Sequence, residues 1–242
     1  MTTLPHNATR DQPAAKLRLT TPQAVGDLEQ FATRARRAND AGMRLQVTRS
    51  MGSDRSPVLA QWVCVLRPRG LGDDVPTVLG LRTVPLRSAD GVSGLDAVVP
   101  LGSVLERTAR MRTMTGEDAL DLAVPPSRLN EPWTALTPPR AQWTPVAEVS
   151  HEELITVAKD GLQAMRDTLP SDPGEAVVQR VRAAVWGQML GEPAVLPAGA
   201  AFAAFALGFL PPSGRARVLQ NGPWTRLDTT GGFVLHRPAV SL

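Results

Sequence analysis

At 242 residues, 43% of them apolar and 20% charged, the chain is long enough to bury a core without disulfide or metal support. Its single cysteine, Cys64, excludes an intramolecular disulfide, and three histidines beside it make no basis for a His/Cys metal centre. The formal charge of +3 belongs to the first half, with 18 bases against 15 acids, while eight bases balance eight acids from Ser150 onward. A duplex-binding domain concentrates basic charge on one face, and this distribution does not.

The first fifteen residues are polar and hold Pro5 and Pro13 without an apolar segment, so 1–15 is expected as a disordered tail with no secretory signal. The longest apolar run, 196–210, is too short to span a bilayer. With one cysteine in an apolar run, the composition points to the cytoplasm and to no membrane partner.

Thr21-Pro22 opens a helix, threonine as cap and proline at the first helical position; Val25, Leu28, Phe31, Ala32 and Ala35 follow at helical spacing. Strands are predicted over 43–49, 58–66 and 77–86, with a fourth at 95–99. Met43, Leu45 and Val47 alternate with polar residues, whereas 58–66 is apolar on both sides, as in a central strand. Short links without intervening helices favour an antiparallel meander. A helix from Pro100 through Val104 and Leu105 completes an α+β sheet domain over 16–124, with helices on one face.

Residues 125–149 form a Pro/Trp-rich joint. Between Pro132 and Pro145 it holds four prolines and two tryptophans, so it should run extended and lie pinned on a folded surface. Ser150-His151-Glu152-Glu153 then matches a capping box and opens a helix to about residue 169. Further helices are expected over 173–189 and 197–210, the last apolar nearly all round. Strands at 217–220 and 224–228 flank an Asn221-Gly222 turn, followed by 233–237. Three helices before a hairpin give 150–242 the order of a winged-helix-like domain, although the third helix has no donor side chain for base edges.

Catalytic constellations fail on inspection. His151-Glu152-Glu153 has Ile155 where a zinc motif needs its second histidine, and Gly91-Val92-Ser93-Gly94 is one residue short of a nucleophile elbow. Gly70-Leu71-Gly72 has no third glycine and no following helix. His236 and Asp228 lie on opposite arms of the last hairpin and could meet in one register only.

Thr137 to Trp143, Val185-Trp186-Gly187, Leu196 to Phe202, Leu207 to Leu210 and the closing Trp224 to Arg237 resemble segments of uncharacterised proteins from high-GC actinobacteria. The resemblance covers about the last 110 residues well and implies that they fold as a unit; it supplies no catalytic or cofactor-binding residue.

The leading expectation is a non-enzymatic protein-interaction or scaffold protein with an unknown protein partner, no cofactor and no metal. Its candidate contact residues are Trp133, Arg140, Trp143, Trp186 and Trp224. Set against this is the simpler expectation that the tryptophans only pin the joint and hairpin to the core. A winged-helix nucleic-acid binder would use Arg215, Arg217, Arg226 and Arg237 instead; an enzyme would need a site between the two parts near His236, Asp228 or Arg140.

Overall fold

The computed structural model describes residues 15–38, 42–51, 53–69, 73, 75–191 and 196–239, so nearly all of the expected tail and the Gly70–Gly72 turn lie outside the described residues. Strand β1 (Lys16–Arg18) leads into helix α1 (Pro22–Ala38), where the Thr21 hydroxyl accepts the Ala24 N–H at 3.2 Å. A meander follows: β2 (Met43–Arg49), β3 (Pro57–Leu66) and β4 (Thr77–Pro85), then β5 (Asp96–Val99), α2 (Leu101–Met111) and β6 (Asp121–Ala123), which pairs with β1.

The second half begins with β7 (Thr144–Ser150). Helices α3 (His151–Thr168), α4 (Glu175–Gly187) and α5 (Ala198–Ala206) follow, then β8 (Arg215–Asn221), β9 (Trp224–Asp228) and β10 (Phe233–Arg237). The capping box forms, with Ser150 Oγ accepting the Glu153 N–H at 3.1 Å. Helix α5 ends at Gly208, whose φ of +71° suits glycine.

Eight strands make one antiparallel sheet in the order β5-β2-β3-β4-β10-β9-β8-β7. The seam is β4–β10, where Phe233 faces Leu81 and Arg237 faces Thr77. Meanders β2–β3–β4 and β8–β9–β10 therefore meet back to back, like two copies related by a two-fold axis through the seam, in a chain without a sequence repeat.

This corrects the expected fold class. The C-terminal half does not form a three-helix, winged-helix-like domain with a free terminal hairpin. Its strands complete the sheet begun by the first half, because β10 spends its outer edge on β4 and β8 spends its outer edge on β7. Nor is α5 placed as a groove-reading helix. Its Ala200, Ala201, Ala203 and Ala204 are buried, and it packs on β3, β4 and β10 between α1, α3 and α4.

Helices and joint take opposite faces of the sheet. On the helix face, Leu45, Leu59, Val63, Val218, Leu227 and Val234 share the main core with residues of α1 and α5, and Phe31 and Phe209 stack there at 5.7 Å. On the other face, Cys64, Leu79, Trp224 and Leu235 form a second, smaller core closed by Trp133 from the joint. Trp133 sits in a short 3-10 turn, Pro132–Ala135, rather than in a fully extended segment. Among the described residues no helix is long and apolar enough to cross a membrane.

Candidate functional site: an arginine-walled groove under the joint

Strand alternation decides which side chains meet the joint. Gln46 and Thr48 of β2, Ala60 and Trp62 of β3, Leu81 and Thr83 of β4, and Phe233 and Leu235 of β10 all lie on the joint face. The joint presses down through Trp133, Leu136 and Trp143 on the smaller core, formed by Cys64 of β3, Leu79 of β4, Trp224 of β9 and Leu235 of β10. At Thr137 to Arg140 it stands off the sheet. Thr137, Pro138, Pro139 and Arg140 then wall a groove of about 350 Å³ floored mainly by aliphatic and aromatic side chains.

The joint is held at several points. Leu129 donates its N–H to Val98 of the β5 edge at 2.9 Å, and Arg44, ion-paired with Asp96 at 2.6 Å, also reaches the Thr134 carbonyl. Arg44 holds the Asp96 carboxyl below the ordinary carboxylate range, chiefly by hydrogen bonding. Arg67 pairs with Glu131 at 3.4 Å. Trp143 donates its indole N–H to the Pro139 carbonyl at 3.1 Å, and Asn221 donates to the carbonyls of Ala141 and Gln142 where the chain turns into β7. Gln142 has a φ of +63°, an uncommon conformation for a residue with a side chain.

Among the described residues three arginines line the groove, and no Asp or Glu does. Arg226 is clamped to Asp228 by two bonds, of 2.5 and 2.9 Å, with its guanidinium 4.7 Å from the Trp143 ring centroid and 5.4 Å from that of Phe233. Arg140 donates to the Arg49 carbonyl at 2.9 Å, and Arg49 donates to the Arg55 carbonyl at 3.3 Å. Neither has a carboxylate partner among the described residues. The acid nearest in sequence, Asp54, is engaged by Ser56 and Ser50, whose hydroxyls hold its carboxyl below the ordinary range. Met51 stands at the mouth, 68% exposed.

Of the residues singled out from sequence, Arg140 lines the groove and Trp143 braces it through Arg226. Trp133 and Trp224 are buried in the smaller core. Trp186 is buried in the main core, stacked on Phe202 at 4.4 Å. Arg226 also lines the groove. Arg215 pairs with Glu148 at 3.0 Å, Arg217 approaches Asp228 at 3.6 Å, and Arg237 stands on β10 opposite Thr77.

His236 and Asp228 are not brought together. His236 faces Thr225, and Asp228 faces Phe233, which puts them on opposite faces of the sheet. Cys64 is buried, and burial pushes its thiol up to about 12, the reverse of an activated nucleophile. Among the described residues no cluster of three or more His, Cys, Asp or Glu could hold a metal ion. Sequence reasoning missed Arg49, Trp62, Leu81 and Phe233. Their alternation was visible, but the face that would meet the joint depends on long-range pairing.

A family described as Domain of unknown function (DUF8010) matches residues 12–132, half of the chain. The chain belongs to that family. A second, Domain of unknown function (DUF8185), matches residues 138–241. The break between the two falls within the joint, and the groove takes its floor from the DUF8010 segment and from strand β10 of the DUF8185 segment. No curated protein matches the chain. Among solved structures it is similar to Caulobacter crescentus pol III beta, at 11% identity and a TM-score of 0.44, over 96% of this chain and 67% of that one. It is also similar to a DnaN sliding clamp (DNA polymerase III subunit beta) from Bartonella birtlesii bound to griselimycin, at 9% identity and a TM-score of 0.46, over 94% of this chain and 66% of that one. The chain spans about two thirds of the length of each, and likeness at this level carries no functional argument.

Proposed function

We propose that this protein is a non-enzymatic interaction module of the cytoplasm that docks an extended segment of a partner protein in the groove beneath its joint. The observation that carries this reading is the groove itself. An apolar floor lies on the sheet beneath Thr137 to Arg140, with arginines and, among the described residues, no acid in its lining. Extended segments bind such clefts by placing alternate side chains into the floor while the intervening ones stay wet. Arg140 is the contact residue retained from the sequence; Trp133, Trp143 and Trp224 support the site by holding the joint and β9 in place.

The arginines of β8 and β9 favour this over a phosphate-binding surface. Arg215, Arg217 and Arg226 all have a carboxylate within 4 Å, so much of their charge is compensated within the chain.

A photo-crosslinking side chain placed at Thr83, which is exposed in the groove, tests the proposal in host cells. The expected result is one adduct mapping to a single peptide of a partner protein, absent when the crosslinker stands at Lys159 on α3. Equal labelling from both positions, or adducts to nucleic acid, would overturn it.

A further inference from the structure

We infer that the docked segment is acidic, with a carboxylate seated between Arg49 and Arg140 and an apolar side chain on the floor beside Trp62 and Leu81. This rests on the docking role proposed for the groove and names the chemistry of its occupant.

The mouth is electrostatically incomplete. Arg140 reaches across to the backbone of Arg49, which brings two guanidinium-bearing residues to one wall, and each spends a donor on a backbone carbonyl rather than on a carboxylate. Elsewhere on the same face Arg44 has Asp96, Arg67 has Glu131 and Arg226 has Asp228, while Arg237 of β10 has no carboxylate partner among the described residues. Asp54, which could have served Arg49, is turned to the serines of its own turn. Two like charges on one wall favour an anion between them, and guanidinium offers carboxylate a planar pair of donors. Arg226 stays fixed by Asp228, Trp143 and Phe233 and acts as a rigid far wall.

The floor separates this occupant from other anions. Ala60, Leu81 and Leu235 make the apolar part of the floor, with Gln46, Thr48 and Thr83 as polar side chains beside it. The face has no row of stacking aromatics such as carries single-stranded nucleic acid; of the residues lining the groove only Trp62 and Phe233 are aromatic. Aliphatic side chains suit it. An extended peptide that alternates apolar and acidic residues satisfies floor and mouth together.

Binding of fluorescent octapeptides to the full-length protein tests the inference. The probes are alternating Asp/Leu, Asn/Leu and Lys/Leu sequences, beside a single-stranded oligonucleotide and phosphatidylglycerol vesicles. The Asp/Leu peptide should bind best, weaken as salt rises, and lose roughly tenfold in affinity in the Arg49→Glu/Arg140→Glu variant. That variant should gain affinity for the Lys/Leu peptide, a charge swap that lost folding cannot imitate. The milder Arg49→Gln/Arg140→Gln variant should fall between the two. Thr83→Trp, which fills the groove from an exposed position, should abolish binding of both Asp/Leu and Asn/Leu peptides. If Thr83→Trp abolishes binding while Asp/Leu and Asn/Leu bind alike and the charge variants change nothing, the groove stands and the acidic occupant is refuted. Asp/Leu binding that survives Thr83→Trp removes the groove and the inference together. Tighter, arginine-dependent binding of the oligonucleotide or the vesicles overturns the acidic peptide in favour of that ligand.

Discussion

Burying His236 should make the fold fail on mild acidification, in a pH window of its own. The imidazole lies on the helix face of β10, only 4% exposed, between Thr225 of β9 and Val78 of β4, and neither ring nitrogen has a hydrogen-bond partner. Burial alone lowers its pKa from 6.5 to about 4. The unfolded chain takes up a proton near pH 6.5 and the folded chain only near pH 4, so between these values the unfolded state holds more protons. Stability therefore falls as the pH falls through this window. By linkage the loss between pH 7.5 and 4.5 is about 2–3 kcal/mol, a large share of the ~5–15 kcal/mol that holds a typical domain. Asp96 and Asp54, whose carboxyls are held low in the fold, contribute in the same direction but below about pH 4, outside most of this range.

Urea denaturation at pH 7.5, 6.5, 5.5 and 4.5, followed by tryptophan fluorescence, measures the loss. The His236→Leu variant isolates it. Leucine keeps most of the volume and removes a buried polar ring without partners, so the variant should match or exceed the wild type at pH 7.5. It should lose about 2–3 kcal/mol less than the wild type on going to pH 4.5. Parallel curves for the two proteins would refute the reasoning, because the folded state would then be protonating His236 as readily as the unfolded chain does.

Four further outcomes follow from packing and exposure. A Cβ at Gly161 of α3 would overlap the ring of Trp186 from α4, so Gly161→Ala should cost about 1–3 kcal/mol in urea denaturation despite the better helix propensity of alanine. The side chain of Gln61 lies fully buried on the helix face with neither amide atom hydrogen-bonded, so Gln61→Leu should stabilise the fold by about 1–3 kcal/mol, read as a higher urea midpoint. Trp133, 3% exposed, closes the smaller core, and Trp133→Ala should cost about 3–5 kcal/mol. Arg140→Ala should stay within about 0.5 kcal/mol of wild type in the same assay, which separates a residue that holds the joint from one exposed at the groove.

Local signals located most of the elements. Thr21-Pro22 starts α1, the box at Ser150 starts α3, and the alternation after Met43 gives β2. Pairing between distant strands was not legible. The Asn221-Gly222 turn, with Gly222 at a φ of +54°, marks a hairpin but says nothing of what lies beside it; β10 finds β4 across about 150 residues of chain. Strand β7 was hidden by Pro145, which an edge strand tolerates beside the register shift found there. The site suffered from the same gap. Arg140 and Trp143 stood out because the joint is unusual in composition, whereas Trp62 and Leu81 become a floor only once pairing decides which face the joint covers.

The joint leaves the β5 edge at Leu129 and enters β7 at Thr144, at the other border of the sheet. Its prolines restrict the segment, which then has less entropy to lose on ordering. Such a strap presses on the sheet where it carries large side chains. It does so at Trp133, Leu136 and Trp143; between the last two, at Thr137 to Arg140, it bridges rather than fills, and the groove lies there.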